Sequence, residues 1–283
     1  MIKVPPLPPL TENEKKMNIS KYYMQVEIPD PVVFQLMDYG PADPADMLSP
    51  ENYKDAIILE GYHKIVSGWC MLPDGTGTYT EYQRHHPGGR VTPEMMQWWH
   101  MWVNVLPKSS KPGEGNLKYK LWMPHDHYEH SFVNGHDRSD GTYSLEKLDA
   151  GGLVPGLASK AIGSVRHNLK PQDLGFSDEY VAELAAKGCS ISAAYETFDI
   201  PGAHFVFGFT RPHPLGGTES FSREWIGWRP LLDGSGKLVR DDYPCDADYL
   251  KAILIHNALE HAHLPRFLPE LYAEYKDKPM DAD

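Results

Sequence analysis

The sequence predicts an α+β fold, an antiparallel sheet followed by a long C-terminal helix. Strand-like runs at 190–199, 203–210 and 219–231 are separated by Pro201-Gly202, by residues 212–217 and by Asp233-Gly234-Ser235-Gly236, the punctuation of an antiparallel meander. Residues 57–80 add further apolar runs broken by turn signals. An amphipathic pattern then opens at Asp246 or Asp248, either of which can cap a helix, and runs to about Leu264, where Pro265 is expected to end it. If that helix packs across a curved sheet, a small-molecule cavity lies between them.

The elements follow in chain order. Residues 1–60 are irregular and proline-rich, with breaks at Pro29, Pro31, Pro41, Pro44 and Pro50. They read as an extended arm or a small helical subdomain, serving either as a dimer element or as a wrapped surface segment. The expected division is an N-terminal arm or dimerisation domain over 1–80 and a catalytic domain over 81–283. Pro73-Asp74-Gly75-Thr76-Gly77 and His86-Pro87-Gly88-Gly89 are turns. Thr92-Pro93-Glu94 starts a helix, with Thr92 as cap and Pro93 at the first helical position. Met95, Trp98, Trp99 and Trp102 form one apolar face of it, fit for core packing or for a cavity wall. Leu117, Tyr119, Leu121 and Met123 alternate, which predicts a strand over 117–123. Ser177 caps a short helix to Lys187.

Composition narrows the function. With 27 basic and 39 acidic residues the net charge is −12, which argues against nucleic-acid or anionic-membrane partners. No apolar run is long enough to span a membrane. Prolines 5, 6, 8 and 9 interrupt any signal-peptide helix, and Cys70, Cys189 and Cys245 are widely spaced; a reducing cytoplasm is expected. The chain lacks G-x-S-x-G, H-E-x-x-H, Walker A and Rossmann patterns, so serine hydrolysis and nucleotide chemistry lose support. Fourteen His beside 7 Trp and 16 Tyr suit a metal or acid–base site in an aromatic pocket.

Two clusters carry chemistry. His256 and Glu260 share a helical face, and an i, i+4 pair of this kind is either an ion pair or half of a divalent-cation site. Glu260-x-x-His263 fits a di-iron helix motif, but no second copy is present. Pro124-His125-Asp126-His127-Tyr128-Glu129-His130 is dense in ligand types; if extended, it turns His125 and His127 to one side and Asp126 to the other. The alternative is a polar surface turn. His204 and His213 are structural or catalytic.

Taken together, Pro73-Asp74-Gly75-Thr76-Gly77, Thr92-Pro93-Glu94-Met95 leading to Trp98-Trp99, Tyr119-Lys120-x-Trp122-x-Pro124-x-Asp126-His127 and His256-x-x-x-Glu260 resemble the diacetylphloroglucinol hydrolase family, which includes phloretin hydrolases. The resemblance spans roughly residues 60–265. It implies a Bet v1-like helix-grip domain with a smaller N-terminal domain, a homodimer, and one Zn²⁺ held by two His and two Glu. His127, eight residues after Tyr119, matches the first ligand, and His256 and Glu260 the helical pair; Glu146, before Gly151-Gly152, is the candidate for the fourth. Tyr119 matches a catalytic Tyr. His130, or Asn134 with a shift, stands at the place of a catalytic Asn, and His204 and His213 match two catalytic His. A later catalytic Tyr has no match, with Trp225 or Trp228 near its place. The implied reaction is hydrolytic, retro-Claisen cleavage of a carbon–carbon bond in a small aromatic or polyketide substrate. The alternatives are a metal-dependent lyase, retro-aldolase or cyclase, and a non-catalytic binder.

Overall fold

A computed structural model describes residues 5–27, 40–86, 88–148 and 161–283. Pro29, Pro31, Pro87 and Gly151-Gly152 lie outside these residues. The chain groups into two compact units, neither continuous in sequence. The first takes Met1–Met37, Arg90–Val165 and Ile255–Asp283, the second Asp38–Gly89 and Arg166–Leu254.

In the first unit, helix α1 (Pro93–Trp102) starts as its sequence predicts, the Thr92 hydroxyl accepting the Met95 N–H at 3.2 Å. Trp99 and Trp102 are fully buried in a core with Phe267, Leu268, Leu271 and Tyr275, so the main task of this face is packing.

The segment expected as a strand over 117–123 is instead helix α2 (Leu117–Trp122). Over six residues, alternation and helical spacing coincide, because Leu117 and Leu121 satisfy both. The cap decides: the Asn116 side chain accepts the Lys118 N–H at 3.0 Å. Lys118 is buried, its ammonium donating to the carbonyls of Trp102, Val105 and Met280. Residues 124–126 form a turn rather than an extended segment, and His127 opens strand β3 (His127–Phe132). Strand β4 (Thr142–Glu146) pairs antiparallel with β3, with a bulge between His127 and Glu129.

The C-terminal helix also departs from expectation. It runs as one helix, Ala247–Tyr275, through Pro265 and Pro269. Each proline forfeits an N–H bond to the carbonyl four residues earlier. The buried side chains of Phe267, Leu268, Leu271 and Tyr275 hold the helix together beyond that point. Asp246 is its cap, accepting the Tyr249 N–H at 2.9 Å.

The second unit carries the strands expected of the meander. Strands β1 (Gly68–Met71), β2 (Gly77–His85), β6 (Ser190–Phe198), β7 (Ala203–Pro212) and β8 (Thr218–Ile226) lie in the order β1-β2-β8-β7-β6, antiparallel throughout. Strand β5 (Ile162–Leu169) spans the boundary between the two units, which falls after Val165. The run at 219–231 is two strands, because Gly227 at φ 89° breaks it before β9 (Trp228–Pro230), the partner of β10 (Leu238–Arg240). Helix α3 (Asp178–Ala186) has the expected Ser177 cap. One sheet face packs Phe205, Phe207 and Trp225 with Tyr53; the other packs Tyr79 and Ile226 with Leu250 and Leu254 from the start of the C-terminal helix, α4 (Ala247–Tyr275).

Candidate metal centre

The first unit brings together six of the residues singled out by sequence. The β3–β4 register places Glu146 directly opposite His127. One turn of α4 sets His256 and Glu260 on a common face. The Nε2 atoms of His127 and His256 lie 3.2 Å apart. A Glu260 carboxylate oxygen is 3.6 Å from His127 Nε2 and 3.7 Å from His256 Nε2, and a Glu146 oxygen is 3.5 Å from His127 Nε2. His127, His256 and Glu260 are buried; the Glu146 side chain is 27% exposed and so is the open side of the group.

Both imidazoles are oriented from behind. His127 Nδ1 donates to the Tyr119 carbonyl at 3.1 Å, and His256 Nδ1 donates to the Asp126 carboxylate at 2.9 Å. Those acceptors carry no proton to give, so each Nδ1 holds a hydrogen, and the Nε2 of a neutral ring presents a lone pair. Two lone pairs and the Glu260 carboxylate aimed at one point, with Glu146 beside His127, repel unless a proton or a cation lies among them. Four ligand atoms around tetrahedral zinc, with bonds of about 2.0–2.2 Å, stand about 3.3–3.6 Å from one another. The separations among His127, His256 and Glu260, from 3.2 to 3.7 Å, match that spacing, and nitrogen and carboxylate donors suit a divalent ion of this kind. The residues present therefore fit a metal.

The electrostatics agree. Burial alone would push His256 down, but its hydrogen bond to Asp126 and the negative charge of Glu260 outweigh it and lift the imidazole to about 9. Burial and the neighbouring His256 hold His127 well below the usual histidine range. One site thus stabilises one positive charge between two rings.

Tyr119 and His130 complete the group. The Tyr119 hydroxyl donates to the Glu146 carboxylate, and its ring stacks on His127 at 3.6 Å between centroids and on His130 at 4.5 Å. Burial and the charges of Glu146 and Glu260 hold the hydroxyl well above its ordinary pKa, so it remains a donor. His130 Nδ1 is hydrogen-bonded to Ser144 Oγ at 2.8 Å. Trp122 closes the group from behind, its Nε1–H donating to the Glu260 carbonyl at 3.0 Å.

His204 and His213 belong to the second unit. His204 is buried among Phe198, Tyr243 and Tyr249, and its Nε2 is hydrogen-bonded to the Tyr249 hydroxyl at 3.2 Å. His213 Nδ1 accepts the Leu215 N–H at 3.0 Å, and its Nε2 is 3.9 Å from Glu219, which also takes Arg211, Tyr62 and Tyr82. Trp225 and Trp228 donate to the Leu48 carbonyl and to Thr76 Oγ1. His125 turns away from His127 and donates to the Pro6 carbonyl at 3.0 Å. Sequence reasoning missed Asp126 as the partner of His256, Ser144 as the partner of His130, and Tyr249. Only Asp126 carried a signal, its place beside His127 in the dense cluster.

Comparison with known proteins places the chain among phenolic-ketone hydrolases. The chain is 26% identical to a phloretin hydrolase of Eubacterium ramulus over 94% of its length and 93% of the relative's. It is 26% identical to a 2,4-diacetylphloroglucinol hydrolase of Pseudomonas sp over 90% of its length and 87% of the relative's. The same identity relates it to the 2,4-diacetylphloroglucinol hydrolase of Pseudomonas protegens, over 90% of this chain and 84% of that one. The DAPG hydrolase PhiG domain matches residues 50–273, most of the chain, including every member of the candidate centre. The chain belongs to the DAPG hydrolase family.

Proposed function

We propose that this chain is a zinc-dependent hydrolase that cleaves the carbon–carbon bond between an acyl group and a phenolic ring, or within a β-diketone, in acylphloroglucinol-like or polyketide substrates. The observation that carries this reading is the convergence of His127, His256 and Glu260 on one point, with Glu146 beside His127 at 3.5 Å. The hydrolase names of the relatives support the reaction class. Those four residues would hold the ion. When bound, it supplies Lewis-acid polarisation of a carbonyl and acidifies water at neutral pH.

The chain's own residues do the rest. Tyr119 offers a hydroxyl fixed in its protonated form, suited to donate to a phenolic or carbonyl oxygen as negative charge develops there. His130, steadied by Ser144, takes the proton of the attacking water as its oxygen bonds to the acyl carbon. The bond from acyl carbon to ring carbon breaks, and its electron pair passes to the ring in its keto form and onto the oxygen that Tyr119 supports. The ring carbon then takes a proton, leaving a carboxylic acid and a deacylated phenol. His204 and His213 are assigned to proton transfer in the same reaction. The sheet and α4 are assigned to a helix-grip arrangement, and residues 1–80 to pairing two copies as a cytoplasmic homodimer.

The test is product analysis in ¹⁸O-labelled water with a panel of acylphloroglucinols and dihydrochalcones. Label in the released acid is expected. Cleavage without label would leave a lyase instead, and tight binding without turnover a binding protein.

A further inference from the structure

The outer surroundings of the centre are built from an unexpected direction. Asp126 is fully buried, and its carboxylate takes the Nδ1–H of His256. The turn that carries it is tied on three sides. Its own N–H reaches the Met123 carbonyl at 3.1 Å, its carbonyl accepts the Lys147 N–H at 2.9 Å, and the preceding His125 donates to Pro6 at 3.0 Å. The N-terminal segment that supplies Pro6 also supplies Glu14. This buried carboxylate pairs with Lys120 at 2.7 Å on α2, the helix whose Tyr119 carbonyl orients His127. Both anchors, Asp126 behind His256 and Tyr119 behind His127, are therefore braced by one stretch of chain, residues 5–23.

We infer that Asp126 is a positioning residue of the metal centre, and that the N-terminal segment holds it in place through His125. A carboxylate behind an imidazole fixes the tautomer, stops the ring from turning and makes the outward nitrogen a better donor. The segment thus preorganises the site in addition to covering the core. This inference rests on the metal reading above.

The experiment measures Zn²⁺ affinity of the full chain by competition with a chromophoric chelator, and records the visible absorption of the Co²⁺-loaded protein. Asp126→Asn should weaken Zn²⁺ binding by about 10- to 100-fold and shift the Co²⁺ bands, with the circular dichroism of the metal-free protein unchanged. His125→Phe should weaken binding in the same direction by a smaller factor. Where Asp126→Asn fails to fold, the His125→Phe affinity decides alone. Wild-type-like affinity and Co²⁺ bands in the variants overturn the inference and leave the metal reading standing. A wild-type chain that binds neither ion overturns the metal reading itself.

Discussion

His127 and His256 face each other through their Nε2 atoms across 3.2 Å, each with its Nδ1 hydrogen committed elsewhere. This arrangement gives no hydrogen bond between two neutral rings, since neither facing nitrogen carries a proton. It becomes favourable once a positive charge sits between them, and Glu146 and Glu260 supply the matching negative charge. The lifted His256 imidazole expresses the same demand.

Tyr119→Phe separates chemistry from metal binding. The ring stack on His127 survives the change, while the hydroxyl that reaches Glu146 is lost. A fall in kcat of about 10²-fold is expected, in the range for removing one donor to a developing anion. Metal content should be unchanged. Steady-state kinetics beside elemental analysis check this, and full activity in the variant would remove Tyr119 from the reaction.

Pro265→Ala tests why α4 outlasts its prolines. The substitution restores an N–H aimed at the His261 carbonyl in a helix interior, where proline is about 3 kcal/mol worse than alanine. Stabilisation of about 1–3 kcal/mol is expected in urea unfolding. A loss of stability would show that the proline ring itself packs.

These two positions also show how far the sequence could be read. Thr92-Pro93, Ser177 and Asp246 announce their helices correctly because a cap is a local signal that needs no tertiary partner. The helix at Leu117–Trp122 was hidden because six residues cannot separate two periods, and the deciding Asn116 cap lies outside the alternating run. Pro265 misleads for a different reason: the burial that overrides it comes from residues beyond it. In the centre, His256 and Glu260 were legible as an i, i+4 pair on one helix. The facing of Glu146 and His127 depends on a hairpin register, and the seat of Asp126 behind His256 on a contact 130 residues apart in sequence. Local pattern carries neither.

His204 gives the protein an acid weakness. It is 1% exposed, and burial pushes its imidazole down to about 3, against about 6.5 in an unfolded chain. Between those values the unfolded chain binds a proton that the folded one refuses. Stability from this residue is therefore full above about pH 6.5 and falls as pH drops towards 3, by about 1.4 kcal/mol per pH unit. Between pH 7 and pH 5 the wild type should lose on the order of 2 kcal/mol more than His204→Gln, read from urea unfolding. Equal losses would mean that His204 is protonated in the folded protein.

Glu146 is the half-open member of the centre, and Glu146→Gln asks whether it is a ligand. The amide keeps the shape but removes the charge opposite His127. Zinc affinity should fall by at least about tenfold, as for loss of a carboxylate that a metal site uses. The Tyr119 hydroxyl keeps an acceptor, so the fold should survive. Unchanged affinity would reassign Glu146 to holding Tyr119 alone.

Hydrolysis is proposed to depend on one metal ion held by His127, Glu146, His256 and Glu260. The most direct measurement is elemental analysis of the purified chain and of Glu260→Ala, each assayed before and after chelation and zinc addition. Roughly one zinc per chain is expected in the wild type, with activity lost on chelation and restored by zinc, and neither metal nor activity in the variant. A wild-type chain without metal, whose hydrolysis neither chelator nor zinc alters, would contradict it.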